Sequence, residues 1–327
     1  MAIKAKLSGF GEDAFIETAI GKFNEKSTDI DATDLDEELF RFREYQAFIG
    51  DRPPVEDRSF FDIKKIDMSD YEEWMSDFFS SVVRVEQLKE TRVYTGFSRI
   101  TPLSSGDPCE APISEKDLNW LPAIEVRGEG IFFQFNITAV KKFVTERLEN
   151  GHAQRRNEKI QTRIANGEPN LVRRKSVDEE FLLVHSFSHA LIRQLAFECG
   201  YDASSIKERI FVGKSDEIEM CAVLIYTASG DSEGSLGGLV ERAQPGFLEK
   251  TIENAVRESV ICSNDPVCTV SGLNFQNLDN VVSCHACNML PETSCEHGNF
   301  LLDRSALIGT LEKPDKGYFY KLCNLDT

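Results

Sequence analysis

The sequence predicts an α+β protein in which mixed helices and a short sheet are combined with a C-terminal four-cysteine zinc-binding region. Segments with apolar residues at helical spacing alternate with short runs that are rich in β-branched and aromatic residues. Five of the nine cysteines fall within residues 262–295. With 327 residues, 41% of them hydrophobic and 28% charged, the chain is long enough for two globular domains.

The first part of the chain, residues 1–115, is predicted to be an acidic and mainly helical region. Residues 11–80 contain 20 acidic and 8 basic side chains. An apolar stripe that begins with Tyr71, Trp74 and Phe78 recurs at helical spacing, which favours a core-facing helix. The predicted elements are helices at residues 35–48 and 70–88 and a strand at residues 92–100, followed by a turn-rich linker at residues 101–112.

The second part, residues 116–327, is predicted to be an α/β domain that contains the zinc site at residues 262–295. Its clearest helix follows a capping-box pattern formed by Ser176 and Glu179, and Gly200 stands where a left-handed residue ends a helix. Two strands are predicted at residues 123–127 and 130–135, with a turn between them, and a buried strand is predicted at 217–227. Helices are predicted at residues 138–149, 181–197, 205–211 and 245–260.

The cysteine spacing predicts a tetrahedral Zn²⁺ site. Cys284 and Cys287 form a C-x2-C knuckle, and Cys295 follows closely. Upstream, a turn that contains an Asp-Pro pair brings Cys262 and Cys268 toward one point. A closed site takes four ligands, so the preferred set is the knuckle, Cys295 and one of the two upstream thiols, with that choice left open. The alternative is a group of buried, reduced thiols.

The charge distribution argues against a nonspecific nucleic-acid coat but leaves one basic segment. The net charge is −18, whereas residues 141–175 contain ten basic and four acidic side chains. Such a segment is predicted to contact phosphates locally, unless it is only a solvated helical face and a charged loop. The predicted DNA contacts are Arg155, Arg156, Lys159, Arg163, Arg173, Arg174 and Lys175. No apolar run reaches membrane-spanning length, so we expect a cytoplasmic protein without a membrane contact.

Two histidines raise the possibility of catalysis. His185 and His189 stand four residues apart, so both project from one face of the predicted helix. A metal-dependent nuclease or hydrolase would use them with an acid such as Glu208. The metalloprotease pattern requires Glu directly after the first His, and Ser186 stands there instead. Packed or hydrogen-bonded histidines are therefore favoured, and no motif in the sequence predicts an enzyme.

Several segments resemble the MrfA-type zinc-binding domain family, whose members are attached to helicases. Within that family the chain is most similar to the helicase-partner subunits of the DISARM phage-defence system. Those proteins are usually longer, so the chain resembles only their later portion. The matching segments are HSFSHALIRQL at 185–195, YDASSIKERIF at 201–211, GSLGGL at 234–239, CSNDPVC at 262–268, SCHAC at 283–287 and TSCEHGNFLLDR at 293–304, with REY at 43–45 and RVYTGFSRI at 92–100 upstream.

The resemblance implies a non-catalytic accessory subunit that is stabilised by Zn²⁺. Such a subunit would work beside a superfamily-two helicase and help that helicase to engage DNA, so DNA would be met through the complex. The alternatives are the metal-dependent hydrolase described above and an acidic scaffold whose N-terminal half mimics DNA or binds a basic partner.

Overall fold

A five-stranded antiparallel sheet lies at the centre of the protein, in the order β1-β2-β5-β7-β6. The computed structural model describes residues 32–50, 58–94, 96–97, 111–113, 120–149, 158, 161–162, 165–166, 178–215, 218–227, 238–269, 282–310 and 313–324. The strands are β1 (Phe61–Ile66), β2 (Phe79–Val93), β3 (Gly96–Phe97), β4 (Ala111–Pro112), β5 (Ala123–Phe135), β6 (Ile206–Ser215) and β7 (Ile218–Thr227). Strands β3 and β4 form a separate two-stranded pair.

Helices cover both faces of the sheet. They are α1 (Ala32–Ile49), α2 (Trp74–Phe78), α3 (Ile137–Glu149), α4 (Glu179–Cys199), α5 (Gly238–Arg242), α6 (Leu248–Glu258) and α7 (Ser305–Ile308). Together with the sheet they confirm the predicted α+β class. Among the residues that the structure describes, no helix combines the length and the apolar character that are needed to span a bilayer.

Two apolar clusters fill the space on either side of the sheet. Ile131 and Phe133 of β5 face the larger cluster, which includes the buried side of α4. Phe132 faces the opposite side, where it packs against Tyr45 and Phe48 of α1. Successive side chains of a strand point to opposite faces, and here both faces are covered. Strand β7 and residues 131–133 of β5 therefore read as continuous or nearly continuous apolar runs.

The helices predicted at residues 35–48, 138–149, 181–197 and 245–260 and the strand predicted at 217–227 are confirmed, with small shifts at their ends. Helix α4 ends as predicted at Gly200, which has a φ of 71°. Its N-cap is Asp178, whose side chain accepts from the Phe181 amide. Ser176 lies outside the described residues, and Glu179 pairs with Arg147.

The helix predicted at residues 70–88 is wrong. Only the short helix α2 forms there, and the chain continues as the long strand β2. The apolar stripe from Tyr71 to Val85 matched helical spacing, but β-branched residues crowd its second half and prefer a pleated strand. The predicted strand at 92–100 is correct only in part, since β2 ends at Val93 and β3 covers two residues.

The turn predicted between two strands at residues 123–135 is also wrong, because β5 runs through it without a break. Gly130 lies inside the strand, where it is paired with Tyr226 of β7. A Cβ atom at Gly130 would stand 2.6 Å from the Ile225 carbonyl oxygen and 2.8 Å from the Tyr226 Cβ. This glycine therefore permits a close approach between strands and does not mark a turn.

The short helix predicted at residues 205–211 is a strand, β6, which pairs with β7 along its whole length. Ile206, Ile210 and Val212 belong to the cluster that faces α4. Period-two spacing places Glu208 on that same buried face, a position that matters for the site described below.

The predicted division at residue 115 stays a prediction. Strands β1 and β2 precede it and β5, β6 and β7 follow it, and all five share the one sheet.

Candidate metal centres

Four cysteines from two turns form a compact group, which we call the four-thiol centre: Cys262, Cys268, Cys284 and Cys287. The Sγ atoms of Cys262 and Cys284 are 3.5 Å apart. The Sγ atom of Cys287 lies 3.8 Å from those of Cys268 and Cys284. A tetrahedral zinc ion with Zn–S bonds of about 2.3 Å requires sulfur atoms about 3.8 Å apart. The sulfur separations therefore fit one tetrahedral ion.

Backbone and side-chain N–H groups point at these sulfurs. The Asn264 amide donates to Cys262 Sγ over 3.4 Å, and the Cys284 amide donates to Cys287 Sγ over 3.3 Å. The side-chain amide of Asn264 also donates to Cys284 Sγ. Donors around sulfur stabilise thiolates, which are the form that binds a metal.

An ion pair holds the first cysteine turn in place. Arg304 Nη2 lies 2.9 Å and 3.1 Å from the two carboxylate oxygens of Asp265. Asp265 accepts in turn from the Cys262 amide over 2.8 Å and from the Thr269 hydroxyl over 2.6 Å. Arg304 is buried and also donates to the Ser259 carbonyl oxygen. These contacts orient the turn independently of a metal.

The thiols of this centre differ in acidity. Burial would raise the pKa of Cys284, but hydrogen bonds from Cys262, the Ala286 amide and Asn264 lower it to about 7. Burial raises the pKa of Cys287 to about 11 and raises the pKa of Cys268 further. Four thiolates this close together repel one another, so a cation is needed to deprotonate the whole set.

Cys295 is not part of the four-thiol centre, which corrects its predicted place beside Cys284 and Cys287. Both upstream thiols, Cys262 and Cys268, belong to the centre instead of one. Cys295 groups with two histidines and an acid, and we call this set the His-Glu-Cys group: His185, His189, Glu208 and Cys295. The sequence predicts the two histidines and Glu208 together only in the hydrolase alternative, and it predicts Cys295 beside the other thiols.

The donor atoms of the His-Glu-Cys group converge. His185 Nε2 lies 3.2 Å from Cys295 Sγ and 3.2 Å from Glu208 Oε1, and His189 Nε2 lies 3.6 Å from the same oxygen. Burial lowers the pKa of His185, which favours its neutral form. Burial and the Glu208 carboxylate raise the pKa of the Cys295 thiol.

This group does not follow from the sequence prediction, because a helix at residues 205–211 would not place Glu208 beside the histidines. A strand with Ile206 and Ile210 pointing inward necessarily points Glu208 inward as well. The alternation of inward and outward side chains could therefore have indicated that Glu208 is buried. Cys295 lies 110 residues after His185, and no sequence spacing indicates that the two side chains meet.

The predicted DNA contacts, Arg155, Arg156, Lys159, Arg163, Arg173, Arg174 and Lys175, lie outside the described residues. Two other bases of the segment are engaged within the fold. Lys141 Nζ lies 2.5 Å from a Glu219 carboxylate oxygen. Arg147 is buried between Glu179 and Asp303. Of these two bases, Arg147 is therefore not available at the surface, whereas Lys141 is exposed.

Comparison with known proteins supports the resemblance drawn from the sequence. Residues 187–288 match the family described as the MrfA Zn-binding domain. The chain is 36% identical over 337 aligned residues to the DISARM protein DrmB of Bacillus paralicheniformis. The alignment covers 96% of this chain and 55% of that relative, so the chain spans just over half of the relative's length. The matched range contains the whole four-thiol centre, whereas His185 and Cys295 fall outside it.

Proposed function

Because the chain is a DrmB-like protein with an MrfA-type zinc-binding domain, we propose that it is a zinc-binding accessory subunit of a bacterial anti-phage defence system. The observation that carries this proposal is the four-thiol centre inside the range that matches the zinc-binding family. Zn²⁺ is the proposed ion because four thiolates at tetrahedral spacing, with no open position, suit a structural zinc site. The reduced thiols fit a cytoplasmic location.

In this proposal the metal ion holds the two cysteine turns in one rigid conformation. Among the residues that the structure describes, Cys262, Cys268 and Val282 form the buried cluster around the centre. So small an apolar cluster contributes little to folding, and a metal ion would supply the missing stabilisation. A rigid lobe is what a partner protein needs for docking, because preorganised surfaces lose less entropy on binding.

A superfamily-two helicase is the proposed partner, and DNA is met through that complex. The chain's net charge of −18 opposes broad DNA affinity, so contacts would be local and sensitive to salt. The basic segment supplies the proposed contacts, with Arg173 and Arg174 as adjacent bases. Each phosphate contact that is removed should reduce the salt dependence of binding by about one counterion.

A plaque assay tests the defence role. In cells that carry the whole defence system, Cys284→Ser is expected to abolish protection against phage, because it removes one ligand of the four-thiol centre. Cys323→Ser is the matched control, since Cys323 belongs to neither metal-binding group. Full protection by a Cys284→Ser protein that has lost its zinc would contradict the proposal.

A mobility-shift titration with and without the helicase tests the DNA contact. Charge reversal of Arg173 and Arg174 is expected to weaken binding by the complex and to flatten its dependence on salt. Reversal of Lys64 and Lys65, two adjacent exposed bases on β1, is the matched control and should change binding little. Equal effects of the two pairs would show that only overall charge matters.

A further inference from the structure

We propose that the His-Glu-Cys group is a second metal site, which binds Zn²⁺ separately from the four-thiol centre and has a structural role. Its residues come from three parts of the fold that are distant in sequence. His185 and His189 lie on α4, Glu208 lies on β6, and Cys295 lies in the segment before α7.

The separations between the donor atoms fit one tetrahedral ion. Zinc bonds of about 2.0–2.1 Å to nitrogen or oxygen and about 2.3 Å to sulfur require donor atoms about 3.3–3.6 Å apart. The measured separations are 3.2 Å from His185 Nε2 to both Cys295 Sγ and Glu208 Oε1, and 3.6 Å from His189 Nε2 to Glu208 Oε1. One ligand atom from each of the four residues lies within 4.8 Å of the others.

Both imidazole rings are oriented as metal ligands. His189 Nδ1 lies 2.7 Å from the Asn288 carbonyl oxygen, and His185 Nδ1 lies 3.3 Å from the Leu301 carbonyl oxygen. A carbonyl oxygen can only accept, so each neutral ring carries its proton on Nδ1. Each Nε2 lone pair then points into the group, with the second-sphere contact that metal-binding histidines usually make.

Without a cation the His189 ring of this group is not fully satisfied. The His189 Nε2 atom is buried and has no hydrogen-bond partner among the described residues. Its lone pair and that of His185 both face the Glu208 carboxylate. The Cys295 thiol can donate its proton to His185 Nε2, 3.2 Å away, whereas Glu208 Oε1 lies 3.6 Å from His189 Nε2, too far for a hydrogen bond. The His189 nitrogen therefore remains unpaired, at a cost in free energy. A single divalent cation satisfies all four donor atoms at once.

The backbone around Cys295 resembles the backbone of the four-thiol centre. The His297 and Asn299 amides donate to Cys295 Sγ over 3.3 Å and 3.2 Å. The first of these repeats the contact in which an amide two residues later donates to Cys262 Sγ. Asn299 and Leu301 have φ angles of 64° and 65°, which are uncommon for residues other than glycine. The segment thus holds a strained conformation that aims two amides at one sulfur.

The burial of the group indicates a structural site and argues against the hydrolase hypothesis. The exposed fractions are 0% for His185 and His189, 2% for Glu208 and 8% for Cys295. A catalytic zinc ion keeps a position open for water or substrate, whereas four protein ligands close the coordination shell. An ion here would join α4, β6 and the 288–301 segment, whose Asn288 and Leu301 carbonyl oxygens already contact the histidines.

Metal content of the purified 327-residue chain tests the proposal. We expect two zinc ions per chain by inductively coupled plasma mass spectrometry. His189→Ala and Cys295→Ser should each reduce the content to one, and Cys323→Ser should leave two. One ion per chain in the unchanged protein, or two ions in folded Cys295→Ser protein, would overturn the proposal. Loss of one ion in Cys284→Ser reports separately on the four-thiol centre, so the two proposals can fail independently.

X-ray absorption at the zinc edge supplies a test that needs no variant. The unchanged chain should show a mixed shell of sulfur and nitrogen or oxygen atoms, because the two sites differ in ligand type. Cys284→Ser should shift the average toward nitrogen and oxygen. A shell of sulfur alone in the unchanged chain would contradict a loaded His-Glu-Cys group, even if the variants at that group fail to fold.

Discussion

Arg147 and Asp303 form a buried ion pair, with 2.7 Å between Arg147 Nη2 and Asp303 Oδ2, although 156 residues separate them in the sequence. Arg147 Nε also lies 2.8 Å from Glu179 Oε2, and its Nη1 donates to the Ser305 carbonyl oxygen over 3.0 Å. One guanidinium group thus links α3, the start of α4 and the start of α7. Its fork of donors matches several acceptors at fixed geometry, which lysine could not do.

Removing that guanidinium should destabilise the protein strongly. Arg147→Met removes the guanidinium group that contacts the buried carboxylates of Glu179 and Asp303, and we expect the free energy of unfolding to fall by about 3–5 kcal/mol. Urea denaturation at a fixed zinc concentration measures this. Lys141→Met removes an exposed pair with Glu219 and should change stability much less. Similar losses of stability in the two variants would show that the buried ion pairs contribute no more to stability than the exposed pair.

The contact between Arg304 and Asp265 should control metal affinity through the orientation of the Cys262 turn. Arg304→Ala frees Asp265 and leaves the Cys262 amide less well positioned. Substitutions in the shell behind the ligands typically weaken metal binding by about 10–100-fold. Competition with a chromogenic chelator measures the zinc affinity, and Arg257→Ala at an exposed position on α6 is the control. An affinity unchanged within twofold would mean that the thiols alone define the site.

Glu180 should make stability depend on pH. Burial, together with the Asp178 and Glu219 carboxylates, raises the pKa of Glu180 to about 7. The pKa of Glu180 in the folded state lies above its unfolded value of about 4.3. The contribution of Glu180 to folding stability is therefore fully present below about pH 4.3 and is lost as the pH rises through 7.

Glu180→Gln should therefore remove this loss of stability at high pH. The variant should match the unchanged protein at pH 4 and exceed it at pH 8 by roughly 1 kcal/mol, after allowance for solvent screening of a partly exposed carboxyl. Urea denaturation at both pH values makes the comparison, with exposed Glu258→Gln as the control. A gain of equal size at both pH values would point to a cause other than titration.

Removal of zinc should loosen the cysteine turns before the sheet. Hydrogen exchange with mass spectrometry, after dialysis against a chelator, should show faster exchange at residues 262–269 and 282–290. In the described part of the chain the apolar cluster there has three buried residues, whereas β7 and the paired residues 130–134 of β5 are covered on both faces. Uniform acceleration across β5 and β7 as well would indicate that the metal stabilises the whole fold.

Elements whose conformation follows from the local sequence pattern could be predicted. Elements whose conformation depends on neighbouring strands of the sheet could not. Helix α4 was recognisable because its apolar run and Gly200 are local features. Strand β6 and the unbroken β5 were not, because Gly130 and Ile206 are decided by the neighbouring strand β7. Local propensity is a weak prior that packing against other strands overrides.

The sequence by itself determined that cysteines near the C-terminus gather at one place, since the C-x2-C spacing brings two sulfurs together within one turn. Only the tertiary structure decided how the thiols divide between two groups. Cys295 meets His185 because the segment before α7 folds back onto α4, and Glu208 joins them because β6 runs beneath that helix. Such contacts depend on how distant elements pack, and residue spacing along the chain does not encode that distance.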